Sequence, residues 1–546
     1  MLLSDDLKRY LEAYQRDYDY RHQGIIASFE VDDLALSVGK FYEQIRKVVD
    51  WKEENALRRG AISRAIKRNL VANVYSFTRD DLGRLHHMAE GMVLELMRSG
   101  YFDNNFINTQ KVKTVAQILQ KYLIILQDLN TVNRDVSQTD LKSKIKLQTW
   151  TIEVAACELE ECLMPPFKTT ALINLMSGVL ERRIKIIPQE TLSNHEREIF
   201  LQIGVWRSLF GADDYLLSYL LLKRTQSNFF DFSHEFGRAQ VCAYINQYQV
   251  IENYLNHKVA RLFLRICNKY DAAYRLIGLI ANQAEITSVS QGEDFFSHET
   301  QVQETYETIY KQRIKNLKIS LLKAAFWTTL SILIANIASV LILELPVAGL
   351  LGYDFSWWAI FWDIMIPSIA MFALVMLIRP PRKENQAVVW EEISKILYQD
   401  KQQDVYEIRL NQKSSLILQG FFTGTTILAG AVGLLGIGAL FYLAGLPITS
   451  VYLNVVYITM VLFASLNIRA KAQALTIYER TGLSDFLLDI FALPLARIGQ
   501  WFSKKWKEYN IFSIVFSIII DVPFSLLIAF IEEWRGFLKE TKSEIR

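Results

Sequence analysis

Apolar residues in the first 318 positions recur at the spacing of helix faces. Ile62, Ile66 and Leu70, for example, repeat every four residues. Only three of the ten prolines fall in this part of the chain, at 165, 166 and 188. Because proline is unfavourable inside a helix, long stretches without it permit long helices. The pattern predicts an almost wholly α-helical body.

Residues 319–546 follow another pattern, in which long apolar runs dominate. Four runs stand out, at 321–343, 357–378, 417–443 and 449–467. Each has roughly 20 mostly apolar residues, which is what a hydrocarbon core about 30 Å thick requires. Continuous runs of this kind satisfy their backbone groups in lipid as helices. The sequence therefore predicts four transmembrane helices, paired as two hairpins.

The positions of Lys and Arg predict the orientation of these hairpins. The connections at 344–356 and 444–448 contain neither residue. The other flanks carry basic residues, namely Lys311, Arg313, Lys315, Lys318, Arg379, Arg382, Lys383, Arg469 and Lys471. Since basic residues concentrate on the cytoplasmic side, we expect a multi-pass protein of the cell (inner) membrane with a cytoplasmic N-terminus. The start of the chain is charged and amphipathic and does not resemble a secretory signal.

The predicted fold class is all-α, a large soluble helical domain followed by a membrane helix bundle. Six regions are predicted: an N-terminal helical unit at 1–130, a second helical unit at 131–318, a first hairpin at 319–378, a cytoplasmic loop with an amphipathic helix at 379–415, a second hairpin at 416–468 and a C-terminal region at 469–546. The helix in the loop either docks against the soluble domain or lies on the bilayer surface.

The C-terminal region combines an apolar stripe with basic residues, which is typical of a helix in the headgroup layer. The run at 511–531 is long enough to cross a bilayer but contains Asp521 and Pro523. Basic residues flank this run at both ends, which favours a re-entrant or interfacial hairpin over a fifth span.

The third apolar run is rich in glycine. Small residues allow close helix packing in a membrane, so these glycines indicate a subunit interface, a flexible pore-lining helix or packing within one molecule. They are Gly420, Gly424, Gly430, Gly433, Gly436 and Gly438.

Three polar residues lie within apolar runs, where ionisable groups are costly and often functional. Asp363 is near the outer end of the second run, Asn336 is in the middle of the first, and Asp521 interrupts the last. For each, the alternative is an ordinary structural role: contact with the surface, an interhelical hydrogen bond or an interfacial bend.

A basic segment in the soluble part comprises Arg58, Arg59, Arg64, Lys67 and Arg68. It suggests contact with anionic lipid or nucleic acid, and the alternative is a solvated helix face. A net charge of +2 argues against general binding to nucleic acid.

The sequence contains no phosphate-binding glycine loop, dinucleotide fingerprint, serine-hydrolase elbow or metal-ligand spacing, and its four cysteines lack the C-x-x-C spacing. We therefore predict no catalytic, cofactor or metal residues. The first functional hypothesis is a non-catalytic scaffold or sensor domain anchored in the bilayer that binds protein partners. The alternatives are a homo-oligomeric channel or transporter gated by this domain, and a membrane-tethered binder of nucleic acid or anionic lipid through residues 46–68.

Overall fold

The computed structural model describes residues 2–22, 54–71, 74–77, 81–102, 106–131, 138–187, 192–230, 238–340, 357–376, 381–399, 404–409, 416–443, 448–473, 475–477 and 483–508, and the single positions 37, 346, 378, 445, 530, 534 and 537. The helices of the first part are α1 Asp5–His22, α2 Glu54–Ile66, α3 Leu82–Arg98, α4 Thr109–Thr131, α5 Gln138–Leu163, α6 Phe167–Arg183, α7 Asn194–Phe210, α8 Asp214–Thr225, α9 Arg238–Asn256, α10 Lys258–Gln283 and α11 Val289–Ser297.

The remaining helices are α12 Glu299–Ser339, α13 Trp357–Met376, α14 Glu384–Leu397, α15 Leu416–Leu443, α16 Ile448–Ala472 and α17 Leu483–Glu508. Two short strands, β1 Ile184–Ile187 and β2 Tyr406–Arg409, are the only strands among the described residues. The prediction of an all-α chain is confirmed. The two hairpins and the domain limits stay predictions.

The helical body has one continuous apolar core. Its buried residues run from Leu3 in the N-terminal segment to Tyr310 in α12, and residues from both sides of the predicted boundary at 130 and 131 belong to it. Helix α10 contributes a long buried face against α7, where a Cβ atom at Gly204 would lie 3.1 Å from Cys267 Sγ. We call this assembly of residues 2–310 the body.

Helix α14 and strand β2, which follow the first two apolar helices, belong to the same core. We call residues 384–409 the strap. Val389, Ile393, Ile396 and Leu397 are fully buried in the body. Strand β2 pairs in parallel with β1, with Ile184 opposite Tyr406 and Ile187 opposite Arg409. The amphipathic helix predicted in this loop is thus docked against the body.

Two further contacts hold the strap. The N-terminal segment pairs with its end, where Ser4 N donates to Leu397 O at 2.9 Å and Gln399 N donates to Leu2 O at 3.1 Å. The Arg183 guanidinium, at the end of α6, donates to the Glu392 carboxylate of α14. Both side chains are buried, with exposed fractions of 1% and 6%.

Helix α12 joins the body to the apolar helices without a break. It has 41 residues, so at 1.5 Å per residue it is about 60 Å long. Tyr306 and Tyr310 of its first half are buried in the body, and Ala325 of its second half is buried against α13 and α16.

By length and composition, three stretches of the described helices could cross a membrane: Glu299–Ile334 in α12, Thr423–Leu443 in α15 and Ser450–Ala472 in α16. A shorter apolar stretch, Ile360–Met376, lies in α13. Only 6%, 11% and 28% of the most apolar windows of the three long stretches are buried within the protein. Exposed apolar surface on this scale is compatible with a membrane protein.

Helix α17 packs along α16 and α15. Pro494, Leu495, Ala496 and Gly499 are buried on this side, whereas Phe491 is 44% exposed. Of the apolar stripe predicted for this region, Leu495 is therefore packed against α15, whereas Phe491 is exposed.

Candidate binding cleft

A large cleft opens on the body between α2, α5, α6, α7, α8 and α9. Its volume is about 1470 Å³, which exceeds the usual range of roughly 300–1,000 Å³ for small-molecule sites. Six aromatic side chains line it: Trp150, Trp206, Phe210, Tyr215, Tyr219 and Tyr248. Of these, Trp150, Trp206 and Tyr219 are largely buried, whereas Phe210, Tyr215 and Tyr248 are partly exposed.

The turn between α7 and α8 shapes one wall of the cleft. Ser193 and Glu196 form a capping box that begins α7. Gly211 ends the helix in the left-handed conformation, with φ at 58°, where a residue without Cβ is favoured. Asp213 then caps α8, since its Oδ1 accepts from Leu216 N at 2.9 Å. This turn places Asp213 at the cleft.

The cleft carries both signs of charge in nearly equal number. Among the described lining residues, the acidic ones are Glu153, Glu160, Glu161, Asp213, Asp214 and Glu252. The basic ones are Arg58, Arg59, Lys146, Lys223 and Arg224. With six acidic and five basic groups, the lining favours neither a polyanion nor a polycation.

These charges largely compensate each other in pairs. Arg58 Nε donates to Glu160 Oε1 at 2.8 Å, and Lys223 Nζ donates to Glu161 Oε1 at 2.6 Å. The Arg59 guanidinium donates to the Asp213 carboxylate. Paired groups of this kind fix the shape of a cleft and leave little charge for a ligand.

Burial dominates the acid–base behaviour of the cleft floor. It raises the pKa of Glu160, although Arg58 and Arg59 oppose that shift. It also raises the pKa of the Cys157 thiol well above its usual value, again against the effect of Arg59. Because the thiolate is the reactive form of cysteine, Cys157 is a buried packing residue in this environment.

Most residues of the basic segment predicted from the sequence are paired with acidic side chains. Besides the pairs of Arg58 and Arg59, Lys67 Nζ donates to Glu153 Oε1 at 3.0 Å. The Arg68 guanidinium donates to Glu95, and Arg64 also has an interaction partner. These five residues therefore do not form a uniform positive surface, and two of them line the cleft.

The structure separates the predicted glycines of α15 into two groups. A Cβ atom at Gly430 would lie 3.2 Å from Pro494 Cβ, and one at Gly433 would lie 3.0 Å from Leu495 Cδ1, so these two pack against α17. Gly438 faces Val451 and Val455 of α16 at 3.9 Å. No described atom lies within 4 Å of a Cβ placed at Gly420, Gly424 or Gly436.

Among the described glycines, the tightest contact involves one that the sequence pattern missed. A Cβ atom at Gly499 in α17 would lie 2.1 Å from the carbonyl oxygen of Thr459 in α16, a distance that no real side chain tolerates. The signal in the sequence is weak, because Gly499 stands alone in a stretch that looks amphipathic.

The structure describes the three polar residues predicted within apolar runs to different extents. Asn336 is buried, and its Nδ2 donates to Ile364 O of α13 at 3.4 Å, which links the first two apolar helices. Asp363 lies in α13, but its side chain is outside the described part of the structure, as is the whole of Asp521.

Asn385 joins three segments where the body meets the apolar helices. Its Nδ2 donates to Tyr310 Oη of α12 at 3.0 Å and to Leu475 O at 2.7 Å, and its Oδ1 accepts from Ile477 N at 3.1 Å. The chain that leaves α16 is therefore bound to the start of the strap and to α12. We call this junction the neck.

The cleft could not be recognised from the sequence, because the aromatic residues of the cleft come from helices that are distant in the chain.

Among the described residues, no group of three or more His, Cys, Asp or Glu side chains is arranged to hold a metal ion. No protein-family model, no curated protein and no solved structure matches this chain.

Proposed function

We propose that this chain is an integral membrane protein whose body is a non-catalytic docking module on the cytoplasmic side. The observation that carries the proposal is the cleft, with its six aromatic side chains and its internally paired charges. Aromatic residues are enriched where proteins bind other proteins, because they bury large areas at low entropic cost. The partner is a protein segment that presents apolar side chains to Phe210 and Tyr215, which are partly exposed in the cleft.

The path of the chain supports the membrane topology in this proposal. The strap returns to the body after α12 and α13, so an even number of crossings separates residue 310 from residue 384. The neck binds Leu475 and Ile477 to Asn385, which likewise favours an even number of crossings between the strap and residue 475. Together with the basic flanks, these returns support two hairpins with the body on the inner side.

The test uses a photo-reactive phenylalanine analogue in the full-length protein, in its native membrane. We place it at Tyr215 on the cleft wall, which is 37% exposed, and as the control at Tyr75, which is 80% exposed and outside the cleft. The proposal expects a discrete protein adduct from Tyr215 that the control does not give. The substitution Leu220→Arg, in the cleft lining, should abolish the adduct.

Two results would contradict this function. Identical adducts from both positions would show that the cleft has no special role. Selective flux of an ion or solute through the purified protein in liposomes would favour the homo-oligomeric channel instead. Orientation is checked separately, because protease added to intact cells should not cut within residues 1–318.

A further inference from the structure

The same three chain segments meet at two levels where the apolar helices join the body. At the first level, Leu321 of α12, Ile378 after α13 and Ile468 of α16 belong to one apolar cluster. At the second level, the hydrogen bonds of the neck join α12, the start of the strap and the residues after α16. The described residues between the two levels are therefore close neighbours.

The interval between the two levels is tall enough to hold a layer of lipid headgroups. Tyr310 at the neck and Leu321 at the apolar cluster are eleven positions apart in α12, or about 16 Å along the helix axis. Ile378 and Asn385, at the same two levels, are seven positions apart. The headgroup region on each side of a hydrocarbon core is roughly 5–8 Å thick, so it fits within this interval.

Basic side chains from all three segments lie in this interval. Six of them are exposed and have no ion-pair partner among the described residues. Three are in α12, two directly precede α14 and one is at the end of α16: Arg313, Lys315, Lys318, Arg382, Lys383 and Lys471. We call these six residues the collar.

The collar has no acidic counterpart in its own segments. The sequence contains neither Asp nor Glu in 308–343, 364–383 and 448–478. The nearest acidic residues along these segments are Glu307, which pairs with a lysine outside the collar, and Glu384, the exposed first residue of α14. The collar thus differs from the cleft, where acidic side chains of the same fold compensate the basic ones.

The charge of the collar calls for anions from outside the chain. Like charges within one narrow interval repel one another, and no described carboxylate pairs with these six. In the proposed topology, the collar lies at the inner surface of the bilayer, where phospholipid phosphates stand at the same depth. Each Lys or Arg near an anionic membrane surface strengthens attachment roughly 5-fold.

We propose that the collar binds anionic phospholipid headgroups of the inner leaflet, and that these lipids stabilise the junction between the body and the apolar helices. The phosphate oxygens accept hydrogen bonds from guanidinium and ammonium groups of all three segments at once. Arg382 and Lys383 directly precede the strap, so bound lipid also stabilises the docked position of α14. The general preference of basic residues for the inner side accounts for orientation alone, whereas the collar is a binding site on which the neck depends.

Lipid binding at the collar rests on the membrane assignment of the proposed function and is independent of the cleft. Phospholipid is the favoured anion because the apolar helices hold the collar next to the headgroups, at a high local concentration. A soluble phosphate compound and an RNA are the competing anions, and each gives a different result in one titration.

The test measures the thermal aggregation midpoint of the full-length protein in neutral detergent. Phosphatidylglycerol is titrated in, and phosphatidylcholine, inorganic phosphate and an RNA oligonucleotide are titrated in parallel. The collar variant neutralises one lysine in each segment, through Lys318→Gln, Lys383→Gln and Lys471→Gln.

A matched control variant loses the same charge elsewhere, through Lys8→Gln, Lys113→Gln and Lys258→Gln. These three lysines are exposed on the body and form no ion pair among the described residues. The control therefore separates an effect of position from an effect of net charge.

We expect phosphatidylglycerol to raise the midpoint of the wild-type and control proteins at concentrations where the other three additives do not. The collar variant should need about 10-fold more phosphatidylglycerol, or a higher excess, for the same rise. In neutral detergent alone, the collar variant should be at least as stable as the wild type, because fewer like charges repel one another. A lower midpoint there would give these lysines an ordinary structural role and overturn the proposal.

Three other results would also overturn it. An equal rise with inorganic phosphate or with RNA would show that the anion is not a lipid, and an equal rise with phosphatidylcholine would show that charge is not recognised. A rise with phosphatidylglycerol that is unchanged in the collar variant would place the lipid elsewhere on the protein. Release of the wild-type protein from native membranes by alkaline carbonate would instead refute the membrane assignment, so the two failures are distinguishable.

Discussion

The buried pair between Arg183 and Glu392 joins the strap to the end of α6. Both side chains are withdrawn from water, and two further guanidinium nitrogens of Arg183, Nε and Nη2, have no hydrogen-bond partner among the described residues. The substitution Glu392→Ala therefore leaves a buried cation without its carboxylate. Removing one partner of a buried pair costs about 3–5 kcal/mol, or roughly two to four powers of ten in the opening equilibrium of the strap.

Amide hydrogen exchange of β2 in the full-length protein measures this opening directly. Exchange at Tyr406–Arg409 reports the free energy with which the strap detaches from β1. We expect Glu392→Ala to accelerate exchange there by about 100-fold or more, while amides of α4, which packs against α3 and α5, keep their protection.

The neighbouring residue provides a matched control. Glu391 is 66% exposed and forms an i,i+4 pair with Lys395, so Glu391→Ala should change stability by about 0.5 kcal/mol or less. The paired substitution Arg183→Met with Glu392→Leu should recover much of the loss, because an apolar pair of similar volume often replaces a buried ion pair without cost. Equal exchange rates in Glu392→Ala and Glu391→Ala would refute the reasoning.

Three other predictions concern single sites. Gly499→Ala should destabilise the apolar bundle by about 1–3 kcal/mol through overpacking, which lowers the midpoint temperature of thermal aggregation. Gly436 has open space around it, so the control Gly436→Ala should leave that midpoint unchanged. Lys121→Ala should cost about 3–5 kcal/mol in urea unfolding, because the buried carboxylate of Glu158 loses its cation and keeps the hydrogen bond from Tyr122 Oη; a loss below about 1 kcal/mol would contradict this. Burial raises the pKa of the Asp271 carboxyl from 3.8 to about 6. The protonated carboxyl therefore contributes fully to the free energy of unfolding below pH 3.8, and this contribution is lost as the pH rises through 6. Asp271→Asn should abolish this loss, about 3 kcal/mol, and a pH dependence of unfolding identical to wild type would count against it.

The helical fold class could be predicted because a helix depends on residues that are close to one another in the sequence. The periodic apolar residues of the body and the unbroken apolar runs depend on neighbours three and four positions apart, and the structure has helices there. The parallel strand pair could not be predicted, since β1 and β2 have four residues each and lie more than 200 positions apart. Their pairing is set by the docking of α14, which is a tertiary effect.

The cleft could not be predicted for a similar reason. Arg58 looked like part of a basic segment, yet its partner Glu160 is 102 positions away. The sign and spacing of charges along the chain do not reveal which of them neutralise one another after folding. Gly499 shows the same limit for packing, because its importance arises from the backbone of Thr459 in another helix.

The strap has a consequence for the order of events during synthesis. The body needs Val389, Ile393 and Ile396 to fill its core, but the ribosome delivers them only after α12 and α13 have emerged. A nascent chain that ends near residue 320 thus lacks the side chains that fill this part of the core. In the proposed membrane topology, the body therefore closes only after the first helix pair has been synthesised and inserted.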